Sequence, residues 1–482
     1  MAVLVATLCL TAVACSSRGS ADPLGAPAFE LPPAQTNAVV FVEGSDRERP
    51  AQAVVVVAPD GTVEHRVAVN ERLIRLRETA SPAHVILLSR TEGATSTAVE
   101  VLDVTTGEVT ALELPAGDWE AVRLLGTPRV APGSLTVLAD QANRLVAVVD
   151  LTSLAVHVID DVPDADAPAD PEAAPPALRM GPTGDAAVLT MPDGARVIGI
   201  EGGSRRLSGP ADDFTFVRWL GNGRALEYVR TTPGSEPVLT AELVGGGEPE
   251  QVSIGQVDAA LPTPRGLVIV RDRTLWLVGR DGPSELATGD GPFVLPVAAS
   301  GSGGHLLVFD GAGGGFENVL VATTDGTTTT VDLPAGSSPS PGTIGADVVW
   351  LASGDGQGPV LTLDLSAGTV EDVFDPPTDQ PVNPTLLQAA PDGRHAVARV
   401  GTSLTALALR AMLLSADGSA PVELAQGRNA DAEFSPDGRY VAVTWDPVDN
   451  PIDRLARLAI FDTTTHELTD LGPAHEAIWV GA

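Results

Sequence analysis

The chain is predicted to be all-β and repetitive. From Ala38 onward short apolar runs alternate with turns, most of them containing Gly, and no segment keeps a 3.6-residue apolar stripe for three turns. One turn per repeat can be followed: Ala58-Pro-Asp-Gly61, Thr105-Thr-Gly107, Leu151-Thr-Ser153, Glu201-Gly-Gly203, Val244-Gly-Gly246, Arg280-Asp-Gly282, Thr324-Asp-Gly326, Ser366-Ala-Gly368, Ala416-Asp-Gly418 and Thr463-Thr-Thr465. Their interval averages about 45 residues, against ~40 to 45 for a four-stranded propeller blade. The expectation is a β-propeller of about ten such repeats over residues 37–482, in one ring closed by pairing of its N- and C-terminal strands. Seven or eight blades plus extra hairpins, or two propellers, are the alternatives.

The strands agree with that period. Val54-Val-Val-Val57, Val146-Ala-Val-Val149 and Tyr440-Val-Ala-Val443 are apolar on both faces, the pattern of a strand lying between two other sheets. Asp-Gly and Gly-Gly pairs supply the positive φ that tight hairpins require. The six Trp residues read as anchors of the blade cores. At the C-terminus, His475-Glu-Ala-Ile-Trp-Val-Gly481 is similar to Trp119-Glu-Ala-Val-Arg-Leu-Leu-Gly126, an innermost strand. The first repeat lacks such a strand, so the two ends complement each other. The acidic, Pro-rich stretch from Asp160 to Pro171 reads as a surface insertion.

Composition excludes some functions. The 482 residues carry 63 acidic and 29 basic side chains, a net charge of −34 that repels phosphate and disfavours nucleic acid or a polybasic membrane patch. Every basic residue is Arg, which removes Schiff-base chemistry and the P-loop lysine. With 44% hydrophobic residues the chain can nonetheless build a large core.

The first residues read as an export signal. Met1 to Ala14 is apolar and uncharged, shorter than the ~20 residues of a membrane-spanning helix. Ala12-Val-Ala-Cys15 followed by Ser16-Ser17 resembles the lipobox of bacterial lipoproteins. The resemblance implies a signal peptide at 1–14, a lipid on Cys15, a flexible tether at 15–36 and residence in the cell envelope, at the outer membrane facing the periplasm or the cell surface. Ordinary secretion with cleavage after Ala14 is the alternative. In either case the folded part keeps no thiol.

Phe434-Ser-Pro-Asp-Gly-Arg-Tyr-Val-Ala-Val443 and Ala389-Ala-Pro-Asp-Gly-Arg-His-Ala-Val-Ala398 resemble the repeats of TolB-type and WD-repeat-like propellers, with weaker copies at Gly181–Val188 and Leu220–Leu226. The resemblance places each motif at the turn between the first and second strands of a blade.

Motifs of catalysis are scarce. No Ser sits in G-x-S-x-G, and neither H-x-H, H-E-x-x-H nor an EF-hand loop occurs. His305 and His395 share a repeat phase and read as packing or turn residues. One constellation stands out: Arg75, Arg123, Arg179 and Arg218 fall at a matching phase of four consecutive innermost strands, with Asp258, Gln388 and Glu433 near it in later repeats. Guanidinium groups at a channel mouth would hold a carboxylate or an acidic peptide segment through bidentate contacts. The structural alternative is that each pairs with a neighbouring carboxylate or a loop carbonyl. The resulting expectation is a monomeric, non-enzymatic binding or scaffold protein for an envelope protein or peptide, with no cofactor, no metal, no nucleic acid, and membrane contact only through the lipid. The competing expectation is a propeller enzyme of lactonase, hydrolase or lyase type with a dispersed site at the channel.

Overall fold

A computed structural model describes residues 37–481, apart from 45–51, 91–95, 125–133, 160–175, 312–317, 334–338, 354–358, 376–384, 402–408, 448–455 and breaks of one to four residues elsewhere. The expected signal at 1–14, the expected tether with Cys15 and the acidic stretch from Asp160 to Pro171 therefore lie outside the described residues.

The described chain is all-β apart from one short 3₁₀ turn at Gly221–Gly223. Its strands form antiparallel four-stranded sets in a propeller-like arrangement. In the second set, for example, Leu73–Arg77, His84–Arg90, Ala98–Asp103 and Val109–Ala111 pair in chain order. All ten tracked turns fall between the third and fourth strands of a set, and the motifs at Pro391-Asp-Gly393 and Pro436-Asp-Gly438 fall between first and second strands. One set departs from the plan: Arg123–Leu124, just after the first strand of the third set, pairs in parallel with Ala177–Leu178 and gives the fourth set a fifth, edge strand.

Long strands join some sets. Val422–Phe434 is the last strand of one set and the first of the next, and Leu468–Gly481 repeats the device. The far half of Leu468–Gly481 pairs with Asn37–Glu43, from Asn37 opposite Gly481 to Glu43 opposite Ala474. The first set thus takes its first strand from the other end of the chain, as the likeness between the segments at Trp119 and His475 leads one to expect.

Burial explains why the central strands are apolar on both faces. Val40, Val42, Val54 and Val56 pack with Val85, Leu87 and Leu102 of the second set. Val39, Phe41 and Val55 face the other way, against Leu458, Ile460 and Trp479. Each such side chain contributes roughly 1.5 to 3 kcal/mol on burial. Outermost strands need no second neighbour, and Val63–Ala68 accordingly shows only half-buried and exposed positions. Of the six Trp residues, Trp119, Trp350 and Trp479 are fully buried and the other three are half-buried.

Polar contacts stitch adjacent sets together. Trp350 Nε1 donates to the Gly393 carbonyl at 2.9 Å, and the Leu76 amide donates to Glu476 Oε2 at 2.7 Å. The turns also rest on the preceding set: a Cβ at Gly107 would lie 2.8 Å from the His65 ring, and one at Gly61 would lie 2.7 Å from Thr469.

Candidate functional site

The pleat of the first strands decides where the arginines stand. Arg179 pairs with Val188, Arg218 with Glu227 and Arg77 with Ile86, in each case the third residue of a second strand. Arg75 lies two residues ahead of that register, on the same face as Arg77. Sequence phase alone therefore chose Arg75 and passed over Arg77.

Two of the four expected arginines are engaged by the protein. Arg75 Nη1 lies 3.2 Å from Glu120 Oε1 and Arg77 Nη2 lies 3.3 Å from Glu120 Oε2, so one carboxylate of the third set joins two cations of the second. Arg218 Nε donates to Glu227 Oε2 at 2.6 Å, and its Nη1 donates to the Pro264 carbonyl at 3.1 Å. Glu227 is 1% exposed, so this pair is a buried one. At these two positions the structural alternative describes what the guanidinium groups do.

Arg123 and Arg179 differ. Arg123 is exposed on the edge strand, and its side chain has no hydrogen bond or ion pair among the described residues. Arg179 is half-buried, and its guanidinium carbon lies 5.5 Å from the centroid of the Phe216 ring in the next set. Burial lowers its pKa, yet a guanidinium remains charged at any physiological pH. No carboxylate among the described residues answers that charge. The Phe216 ring offers a contact worth roughly 0.5 to 2 kcal/mol.

Parallel pairing brings the two together. Arg123 is the partner of Ala177, and Arg179 follows Ala177 on the same face of its strand. Strand spacing and rise then put the two Cα atoms about 8 Å apart, within reach of one bidentate anion. Phe216 forms the apolar wall, itself 5.7 Å from Trp219. Neither Phe216 nor the edge strand was legible as part of a site, because both enter through contacts between sets.

The remaining candidates are structural. Gln388 Oε1 accepts the Phe434 amide of the next set at 2.6 Å, Asp258 Oδ2 accepts the Asp272 amide at 3.2 Å, and the Glu433 carbonyl receives Trp479 Nε1. His305 and His395 open second strands, as their phase indicates, and His84 does the same. Ser81 Oγ lies 2.7 Å from His84 Nδ1, but both belong to the turn between first and second strands, where Ser435 and Asp437 bond in the same way. Among the described residues no three His, Cys, Asp or Glu side chains come together as a metal site.

No protein family and no curated protein matches this chain. Solved structures do. A eukaryotic initiation factor aligns over 93% of this chain and 98% of its own, with a TM-score of 0.52 and 13% identity. The dihydro-heme d1 dehydrogenase NirN in complex with DHE aligns over 94% and 77%, with a TM-score of 0.41 and 14% identity. Apo AztD from Citrobacter koseri aligns over 92% and 98%, with a TM-score of 0.37 and 11% identity. At this identity the likeness to the initiation factor is one of fold alone.

Proposed function

We propose that the chain is a TolB-like, exported and lipid-anchored propeller that acts as a binding or scaffold protein for a protein or peptide in the bacterial cell envelope. Its ten four-stranded sets form one ring, closed where Asn37–Glu43 pairs with the end of Leu468–Gly481, and Cys15 carries the lipid. In support, the first set packs on one side against the second and on the other against the last, which leaves neither end of the series without a neighbour. A ring of such sets leaves only short edge strands, which suits a rigid platform.

The observation that carries the binding reading is the guanidinium of Arg179, which no carboxylate among the described residues answers. A partly desolvated charge without a counter-ion is costly, and a carboxylate arriving from outside would satisfy it together with Arg123. Both lie at the inner edge of the fourth set, so an acidic segment of a partner would reach them from the channel.

Co-purification of the anchored protein from detergent-solubilised envelope tests this reading. The wild type should retain a partner that the double variant Arg123→Gln/Arg179→Gln loses, while Arg75→Gln retains it. Equal retention by the double variant refutes the assignment of the site.

A further inference from the structure

A first strand has one ladder neighbour, the second strand of its set, so alternate amides and carbonyls on its inner edge are open to an added strand. Most of these edges are guarded. In the second set the Leu76 amide donates to Glu476 Oε2 at 2.7 Å, and Arg77 Nη1 donates to the Leu76 carbonyl at 2.9 Å. In the tenth the Phe434 amide donates to Gln388 Oε1 at 2.6 Å, and Arg399 Nε donates to the Ala430 carbonyl at 2.9 Å. Pro262, Pro296 and Pro341 stand in the first strands of the sixth, seventh and eighth sets, Ala259–Thr263, Phe293–Ala299 and Pro339–Gly345, and have no amide to offer. The third set begins with only three residues, Trp119–Ala121, and the ninth has two, Thr385 and Leu386, before a bulge. In the first set Trp479, Val480 and Gly481 are buried.

The fifth set differs. Its first strand, Asp213–Leu220, runs regularly from Asp213 to Phe216 before its bulge, and that stretch has none of these guards among the described residues. Asp213 and Thr215 are exposed, and Phe214 and Phe216 are half-buried. Phe214 and Phe216 face the fourth set, where Phe216 meets Arg179, so the pleat turns Asp213 and Thr215 toward the sixth. In the fourth set itself the inner edge is filled by an added strand: Arg123–Leu124 pairs in parallel with Ala177–Leu178. Arg123 shares the face of Ala177 and Arg179, so both guanidinium groups stand on the side toward the open edge of the fifth set.

We propose that an extended segment of a protein partner binds as an added strand on Asp213–Phe216, its backbone paired with this edge and its acidic side chains on Arg123 and Arg179. The proposal gives the mode of binding at the arginine site and rests on the reading of that site given above. Successive side chains of a strand point to opposite faces, so carboxylates belong at alternate positions. On the other face a carboxylate would meet Asp213, and neutral residues belong there. Backbone pairing supplies affinity, and the arginines select the sequence.

Fluorescence anisotropy with the full-length protein and a labelled Thr-Glu-Val-Glu-Thr peptide amide tests the proposal. Successive amides of a strand alternate between its two edges, so N-methylation of the two Glu residues and N-methylation of the Val remove donors from opposite edges. The expected result is saturable binding that one methylation pattern weakens about tenfold or more and the other leaves nearly unchanged. Replacing both Glu by Lys should abolish it, and Arg123→Gln/Arg179→Gln should weaken the unmodified peptide about tenfold. No saturable binding of the unmodified peptide, or equal effects of the two methylation patterns, overturns the strand addition. Equal effects together with a loss in the double variant overturn the strand addition and leave the arginine site standing. A pattern-dependent loss with unchanged affinity in the double variant does the reverse: it supports the added strand and refutes the arginine site.

Discussion

Trp479 Nε1 donates a hydrogen bond of 2.8 Å to the carbonyl of Glu433, and its indole stacks beside Tyr440 with centroids 6.2 Å apart. Trp479 lies opposite Val39, a residue from the other end of the chain. One fully buried side chain therefore fastens the last set to the first. Trp479→Ala should cost about 3 to 5 kcal/mol by cavity formation and Trp479→Phe about 1 to 2 kcal/mol, measured by denaturant unfolding. A cost below about 1 kcal/mol for the alanine variant would contradict the packing described for this seam.

The two neutralised arginines should respond differently to removal. Arg75 and Glu120 keep 63% and 43% of their side-chain surface exposed, so Arg75→Ala should change stability by no more than about 1 kcal/mol. Arg218→Ala abandons Glu227, whose side chain is 2% exposed, and should cost about 3 to 5 kcal/mol. Chemical denaturation of both variants at neutral pH checks the contrast, and equal effects would contradict it.

A shared hairpin gives a third expectation. In Asp103–Gly107 and Asp364–Gly368 an Asp accepts the amides that follow it, and the fourth residue on is a Gly with φ of 73° and 66°. The equivalent places hold Leu154 at φ 58° and His466 at φ 60°, so the turn forms even with a side chain there. At Gly107, however, a Cβ would also meet the His65 ring, so Gly107→Ala should cost about 2 kcal/mol or more. An unchanged unfolding midpoint would show that the turn does not rest on His65.

Stability should fall with acid in two stages. Burial lowers the pKa values of His84 and His395, against the opposing pull of nearby Asp residues. Their neutral forms contribute stability that is complete above the unfolded value of ~6.5 and is lost as pH falls through the lower folded values. Asp364 is held low first by the Ser366 hydroxyl; at Asp103 burial raises the pKa, but hydrogen bonds from Thr105 and Thr106 outweigh it. Those contributions are complete above ~3.9 and are lost below it. His84→Gln/His395→Gln should therefore flatten the profile just below about pH 6.5 without changing the decline below about pH 4. An unaltered upper stage would contradict the role given to the histidines.

The sequence carried the repeat because turn chemistry is local: Asp-Gly and Gly-Gly pairs mark hairpins whatever surrounds them, and their recurrence at one interval gives the period. It carried the pairing of the chain ends because the segment around Trp479 copies the one around Trp119. It did not carry the register of Arg77, which depends on how each first strand pairs with the second. Nor did it carry the parallel strand at Arg123–Leu124 or the Phe216 wall, which arise where one set meets the next and leave no period in the chain. The arginine phase was legible, but the partners that divide Arg75 and Arg218 from Arg123 and Arg179 were not.

Single-ring closure is tested most directly by a cysteine pair at Ala38 and Val480, introduced with Cys9 and Cys15 replaced. These two residues are direct partners across an antiparallel ladder, where Cα separations of ~4.5 to 5.5 Å suit a disulfide. Mild oxidation should give a quantitative intramolecular bond in a monomer, identified by peptide mass mapping. Disulfides that form only between molecules, or thiols that stay free in the folded protein, would show that the two ends do not meet and that the ring does not close.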